Sequence, residues 1–208
     1  MQLTSASIQD GAPIDAAFAF GRPDPETHIG LSDNRSPHLA WSGAPEGTQS
    51  FVVLCIDPDV PTVGDDVNQE GKSVSADLPR TDFVHWVMVD VPADCVELPA
   101  GSCGQGVVPR GKRRPPGPAG SRQGVNDYTG WFAGDDAMSG AYKGYDGPCP
   151  PWNDELVHHY TYSVHALDIA ALDVAGDFTA ADVQAAMEGH VLASVSITGT
   201  YTNNPSLR

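Results

Sequence analysis

Four long stretches rich in β-branched and aromatic residues dominate the chain. They read SFVVLCIDPDVP (50–61), DFVHWVMVDVP (82–92), HHYTYSVHALDI (158–169) and HVLASVSITGTY (190–201). Runs of this kind, bounded by proline, glycine and aspartate, predict β-strands. The first run is apolar at both sets of alternating positions, so we expect it to be a central strand that is covered on both faces.

Only one segment carries clear helix signals. TAADVQAAMEG (179–189) offers Thr179 as the N-cap, Asp182 in the first turn and Gly189 as the stop. A second short helix near 169–174 also fits the pattern. Long strands with irregular connections favour a mainly β fold, a β-sandwich with a C-terminal helix, over alternating βαβ units. No repeat or linker divides the sequence, so we expect a single domain over 1–208.

The charge balance narrows the classes of partner. With 27 acidic and 11 basic residues the net charge is −16, which disfavours binding to nucleic acid and to anionic membranes. No apolar run is long enough to span a bilayer, and MQLTSASIQDGAPI lacks the pattern of a secretory signal, so we expect a cytoplasmic protein without stable membrane insertion. The four cysteines show no CxxC pair, which favours buried or free thiols over a zinc site or a disulfide framework.

The basic residues concentrate in one proline- and glycine-rich segment, RGKRRPPGPAGSR (110–122). We interpret it as a solvated loop, and the alternative is a positively charged flap that steers anions. GVVPRGKR (106–113) imitates a phosphate-binding loop, but Arg113 stands where a Ser or Thr must bind magnesium. HExxH and G-x-S-x-G motifs are absent, and no G-x-G-x-x-G precedes a helix.

Strand alternation selects the candidate site residues. In HHYTYSVHAL, His158 shares the apolar face with Tyr160, whereas His159 faces solvent or another layer. The same alternation in DFVHWVMVDVP predicts that His85 shares one face of its strand with Phe83, Val87 and Val89. The opposite face then carries Val84, Trp86, Met88 and Asp90. Asp57 ends its strand, and Asp59 follows in a loop stiffened by two prolines.

Each inward histidine, taken alone, is typical of a core imidazole that bonds a neighbour. Three separate segments that offer such groups indicate a small cavity with imidazole N–H and tyrosine O–H donors. Donors of this kind hold phosphate or carboxylate, and Asp57 can orient a histidine or keep it protonated.

These motifs carry a resemblance to a known family. SPHLAWSGAPEGTQSFVVLCIDPDVP, FVHWVMVDVPAD, the long run from GVNDYTGWF to HHYTYSVHALD, and AMEGHVLASVSITGTY occur in this order over most of the chain. Together they resemble the phosphatidylethanolamine-binding protein family, in its bacterial and archaeal branch often labelled Raf kinase inhibitor-like. The resemblance implies a Greek-key β-sandwich with a small anion pocket.

The resemblance also implies which residues line the pocket. They are Asp57, Asp59, Pro61, His85, Gly147, Pro150, His158 and Tyr160. Family members bind phosphate-type headgroups or other small anions, eukaryotic ones regulate kinases or proteases, and prokaryotic ones are commonly dimers. Two features depart from the family: Val60 replaces the usual alanine within DPDAP, and the stretch 104–141 is longer and more basic than usual.

Three functional hypotheses follow. The leading one is a non-catalytic protein without a cofactor that binds a small anion, such as phosphate, a phospholipid headgroup or a carboxylate, and regulates a kinase or protease partner. The second is an enzyme in which Asp57, His85 and His158 ligate a metal, although no closely spaced ligand pair supports it. The third is a protein–protein inhibitor that acts through the loop 110–122.

Overall fold

The computed structural model describes residues 1–208, and its fold is mainly β. The strands are β1 (Gln2–Thr4), β2 (Gly21–Asp24), β3 (His28–Leu31), β4 (Leu39–Ser42), β5 (Ser50–Pro61), β6 (Arg80–Pro92), β7 (Glu97–Leu98), β8 (Arg122–Gln123), β9 (His158–Leu167) and β10 (Val191–Tyr201). The helices are α1 (Tyr128–Trp131) and α2 (Ala180–Ala186), and short 3-10 turns span Ala16–Phe18 and Pro205–Leu207. All four predicted strands are confirmed, but the predicted end of the first at Asp57 is wrong, because β5 continues past a bulge and pairs with β6 as far as Pro61.

The strands form a β-sandwich. A five-stranded antiparallel sheet has the order β10-β9-β5-β6-β8, and a three-stranded sheet has the order β1-β4-β7. Strands β2 and β3 form a separate hairpin. Strand β9 lies beside β5 rather than beside β8, a long return connection of the kind that Greek-key arrangements use. The central position predicted for β5 is confirmed.

The five-stranded sheet is covered on both faces. Phe51 and Val53 pack with Leu39 and Trp41 of the smaller sheet, while Val52 on the opposite face packs in a second cluster beneath α2. Because successive side chains of a strand point to opposite faces, a strand buried on both sides must be apolar at every position. This explains the unbroken apolar run in the sequence of β5.

The predicted cap of α2 is confirmed, but the second predicted helix is wrong. Thr179 and Asp182 form a reciprocal capping box at the start of α2. Residues 169–174 form no helix, because side chains of the sheet bind their backbone. The N–H of Leu172 donates to Asp90 Oδ1 at 2.9 Å, and its carbonyl accepts from Arg122 Nη2 at 2.9 Å.

The alternation predicted for β9 is confirmed. His158, Tyr160 and Tyr162 are buried on one side of the strand, whereas His159 is exposed. The sequence pattern therefore selects the correct inward histidine.

The alternation predicted for β6 is wrong beyond His85, because a β-bulge interrupts the strand. Cys55 of β5 pairs with Trp86, and the next residue, Ile56, pairs with Val84. His85 is the extra residue between these two pairs. A bulge of this kind bends the strand and turns a side chain towards a new direction.

The bulge separates His85 from the valines with which the sequence grouped it. Val87 and Val89 belong to the cluster beneath α2. His85 instead contacts Phe83, with a ring-centroid distance of 5.0 Å, and Tyr160 of the inter-sheet side at 5.1 Å. One strand thus presents valines to α2 and a histidine to the opposite side.

The interpretation of 110–122 as a solvated loop holds only for part of it. Lys112 is buried and donates to Asp146 Oδ1 at 2.6 Å and to the Tyr145 carbonyl at 2.9 Å. Arg122 pairs with Asp90 at 2.6 Å. Arg113 and Arg114 between them are exposed. Two ion pairs therefore fasten the segment to the sandwich.

Candidate functional site

A cavity of about 230 Å³ opens where β5, β6 and β9 lie side by side. Its lining contains six of the eight residues implied by the family resemblance: Asp57, Pro61, His85, Pro150, His158 and Tyr160. The strands bring together groups that are about a hundred residues apart in the sequence. Bulges lie on both sides of this region, at His85 in β6 and between Asp57 and Val60 in β5, as is common next to binding sites.

His158 lies between two carboxylates. Its Nδ1 is 2.7 Å from Asp57 Oδ2, and its Nε2 is 3.1 Å from Asp154 Oδ2. Asp154 is in turn held by a two-pronged pair with Arg80, with distances of 2.6 and 3.0 Å. Since a carboxylate only accepts hydrogen bonds, both ring nitrogens of His158 donate, and the ring is an imidazolium.

The pKa of His158 agrees with this geometry. Burial alone would lower the pKa, but the hydrogen bonds to Asp154 and Asp57 outweigh burial and raise it to about 9. His158 and Arg80 together supply two positive charges, and Asp57 and Asp154 supply two negative charges. This chain of four groups is thus internally balanced at neutral pH.

Only one of the two ring nitrogens of His85 is hydrogen-bonded within the protein. Its Nδ1 lies 2.8 Å from the carbonyl oxygen of Asp146 and so carries the proton. Its Nε2 has no hydrogen-bond partner in the protein. Burial lowers the pKa of His85 below its ordinary value of 6.5, although Asp57 opposes this effect. His85 is therefore neutral at pH 7 and becomes a second donor only when it takes up a proton.

Tyr160 contributes a hydroxyl without a partner. The residue is fully buried, at 0% exposure, and its hydroxyl makes no hydrogen bond of normal distance and angle, although the Asp57 carboxylate lies close enough to act on it. Burial and the nearby Asp57 carboxylate raise the pKa of Tyr160 well above 10, so the hydroxyl keeps its proton. Because buried polar groups are nearly always satisfied, this donor indicates a ligand or water in the cavity.

Two of the implied residues do not line the cavity. Asp59 accepts from the backbone N–H of His159 and from its Nδ1, each at 2.8 Å, at the partly exposed edge between β5 and β9. Gly147 lies behind the wall, where a Cβ would meet the Phe18 carbonyl oxygen at 2.0 Å. Its role is close packing, and its carbonyl oxygen accepts from the Tyr128 hydroxyl.

Asp154, Arg80 and most of the aromatic residues of the cavity were not predicted from the sequence. Asp154 stands four residues before His158 within a segment that resembles a plain connector, and Arg80 stands at the start of β6. A carboxylate close to an inward histidine was the only available signal. Besides Tyr160, the aromatic lining residues are Phe20, Phe83, Tyr128, Trp131 and Phe132, of which the last three lie in the stretch 104–141.

The metal-site hypothesis fits this geometry poorly. An imidazolium that donates from both nitrogens has no lone pair for a metal, so His158 would first have to lose a proton and a carboxylate partner. No group of three or more His, Cys, Asp or Glu side chains is arranged to hold a metal ion. Separately, no helix has the length and apolarity needed to cross a membrane.

Comparison with known proteins places the chain in a family. The sequence profile of the phosphatidylethanolamine-binding protein family matches residues 4–202. The chain belongs to this family. Among relatives, the UPF0098 protein YbhB of Escherichia coli is 34% identical over 202 residues, which cover 97% of this chain and all of YbhB. A UPF0098 protein of Aquifex aeolicus is 30% identical over 89% of this chain and 84% of its own length.

Solved structures support the same assignment. The crystal structure of Escherichia coli YbcL, described as a new member of the mammalian phosphatidylethanolamine-binding protein family, superposes with a TM-score of 0.68. The two chains are 30% identical, with 97% of each covered. A putative family homologue from Chlamydia trachomatis, at 24% identity and a TM-score of 0.63 over 96% of this chain and 95% of its own, shows the same fold. The resemblance seen in the sequence motifs is thus confirmed.

Proposed function

We propose that this chain is a non-catalytic receptor for a small anion, a phosphoryl group or a carboxylate, that is bound between Tyr160 and His85. The observation that carries the proposal is the buried Tyr160 hydroxyl, which has no partner in the protein and lies in the cavity wall. His85, whose Nε2 is also unpartnered, lines the same cavity, with the two rings 5.1 Å apart. An oxyanion can accept from the Tyr160 hydroxyl and, once Nε2 has taken up a proton, from His85.

The charges around the cavity determine how an anion binds. His158 is already paired with two carboxylates, so it has no free N–H and its charge is neutralised by these partners. A new negative charge beside a balanced set of four charges needs a further proton, and the unpartnered Nε2 of His85 is the group that can accept it. Anion binding and protonation of His85 are therefore coupled.

The absence of an activated nucleophile supports binding rather than catalysis. Burial raises the pKa of the Cys149 thiol in the cavity wall to about 12, so the thiolate is scarce at neutral pH. His158 is held by Asp57 and Asp154 and is unable to act as a general base without leaving them. The unpartnered Nε2 of His85 could accept a proton, but no side-chain hydroxyl or thiol is hydrogen-bonded to it, so the cavity lacks a paired nucleophile and base.

The variant Tyr160→Phe tests the proposal. Loss of a hydrogen bond to a charged ligand should weaken binding by about tenfold to a hundredfold. Titration calorimetry with inorganic phosphate and with dimethyl phosphate measures the change. Tyr162→Phe is the matched control, because Tyr162 is buried on the same face of β9 but its hydroxyl bonds that of Tyr145 at 3.1 Å. No binding of either anion by the unmodified protein would refute the proposal.

The pH dependence of binding tests the role of His85. Dimethyl phosphate keeps one negative charge across pH 5–8, so a change in its affinity reports on the protein. The pKa of His85 is lowered in the free protein and should rise when an anion binds. Affinity should therefore increase as the pH falls, by up to about tenfold per pH unit, and then level off below the pKa of the free protein.

Several charged or titratable groups surround His85, so a control variant is needed to show which group causes the pH dependence of anion affinity. They are Asp57, Asp127, Asp146, Tyr128 and Tyr160. His85→Gln should remove the pH dependence between 5 and 8, whereas His159→Gln, at the exposed edge, should leave it unchanged. A profile that persists in His85→Gln would show that another group controls binding.

A further inference from the structure

The cavity is larger than a simple anion requires. Each water needs about 10–15 Å³ of such volume, and the cavity measures about 230 Å³. An inorganic phosphate, with five heavy atoms, would occupy only the end formed by Tyr160, His85 and Asp57. The remaining volume is part of the same continuous cavity, so a ligand that fills the site has a second, larger portion.

The walls of that remaining volume are aromatic. Phe83 and Tyr128 both adjoin the polar end, because their ring centroids lie 5.0 and 5.5 Å from that of His85 and 5.2 Å from each other. Tyr128 stacks on Phe20 at 4.5 Å and on Phe132 at 5.8 Å, with interplanar angles of 14° and 17°. These rings form a rigid surface that begins beside the proposed anion site and continues away from it.

Trp131 marks the outer part of this surface. It lines the cavity, yet 52% of its surface is exposed. Large apolar side chains that are half exposed at a cavity mouth gain from covering by a ligand. Trp131 belongs to α1, so the short helix that begins with Tyr128 also supplies this outer part of the wall.

The outer part of the cavity offers no charged partner. Among all lining residues, the only ones with ionised or basic side chains are Asp57, His85 and His158, which lie at the polar end. A second charged group on the ligand would lose water there without gaining an ion pair. An aromatic or compact apolar substituent fits this surface better than a substituent that carries its own charge.

We propose that the natural ligand is a phosphoryl monoester of an aromatic or compact apolar group, with its phosphoryl oxygens at Tyr160 and its substituent against Phe83, Tyr128 and Trp131. This inference rests on the proposed function and specifies its ligand class. Phenyl phosphate serves as the probe. It should bind about tenfold to a hundredfold more tightly than inorganic phosphate, through burial of its ring.

Calorimetry with three ligands tests the inference, at about pH 5, where phosphoryl monoesters are monoanions. Phenyl phosphate should bind most tightly, and inorganic phosphate and phosphoethanolamine more weakly. Equal affinities for phenyl phosphate and inorganic phosphate would overturn the inference but leave the proposed function intact, whereas no binding of any of the three would refute both. Tighter binding of phosphoethanolamine would overturn the inference too, because it would indicate recognition of the ammonium group by aromatic faces.

The variant Trp131→Ala locates the substituent. Its half-exposed side chain contributes little to the fold, so the protein should remain folded. The affinity for phenyl phosphate should fall about fivefold or more with the loss of this contact area, and that for inorganic phosphate should not change. Leu31→Ala, at an exposed position outside the cavity lining, is the control and should affect neither ligand. An unchanged preference for phenyl phosphate in Trp131→Ala would overturn the placement against α1.

Discussion

His158→Ala should destabilise the fold by about 3–5 kcal/mol, because it removes one partner from a buried set of charges. His158 is fully buried, and its ring separates the carboxylates of Asp57 and Asp154. Without the imidazolium, Asp57 keeps a buried charge that still accepts from the backbone N–H of Asp59 but has lost the cation bonded to it. Urea denaturation at pH 7 measures the effect.

His159→Ala is the natural control for this experiment. His159 occupies the next position of β9, but its side chain is 54% exposed. Its removal should change the free energy of unfolding by no more than about 0.5 kcal/mol. Similar losses in the two variants would show that the register assigned to β9 is wrong.

The pH dependence of stability follows from the same residue. The pKa of His158 is raised from its ordinary 6.5 to about 9 in the folded protein, so the folded state binds the proton more tightly than the unfolded state. The stability that this contributes is complete below pH 6.5 and is lost as the pH rises through 9. The free energy of unfolding should therefore fall over this range in the unmodified protein and stay flatter in His158→Ala.

Lys112→Met should also cost about 3–5 kcal/mol of stability, because Asp146 would keep a buried charge without its cation. The substitution nearly preserves the side-chain volume, so loss of charge dominates the effect. Lys112 is buried, and its Nζ is 2.6 Å from Asp146 Oδ1. Asn34 and Asn126 also donate to this carboxylate, at 2.7 and 2.9 Å, but neither carries a positive charge.

The same variant should impair anion binding although Lys112 does not line the cavity. The carbonyl oxygen of Asp146 accepts from His85 Nδ1, so displacement of Asp146 would release the ring that offers Nε2 to the ligand. Denaturation and phosphate titration of Lys112→Met should show both losses. Arg113→Met changes the adjacent, exposed cation and should show neither. Normal affinity in a destabilised Lys112→Met protein would contradict the link between Asp146 and His85.

The parts of this structure that were predictable depend on local rules. The capping box of α2 follows from Thr179 and Asp182 being three residues apart, and the burial of His158 follows from the two-residue repeat of β9. Both need only neighbouring residues and regular geometry. The sandwich likewise follows from strand patterns and turn residues.

The parts that could not be predicted depend on pairing across the fold. Alternation assumes a regular strand, and the bulge at His85 is fixed by the pairing with β5 rather than by any signal within β6. Lys112 was grouped with its basic neighbours because composition does not reveal that Asp146, 34 residues later, is buried beside it. Asp154 was missed for a similar reason, since its partner Arg80 lies 74 residues away.

The bulge at His85 separates two demands that a regular strand would impose on the same position. A residue within the pairing ladder must satisfy both its cross-strand neighbour and the layer that it faces. His85 lies between two paired positions and opposes neither Cys55 nor Ile56. A substitution at position 85 therefore changes the side chain that faces the ligand without altering the pairing between β5 and β6. Binding specificity can diverge at this position while the β-sandwich is retained.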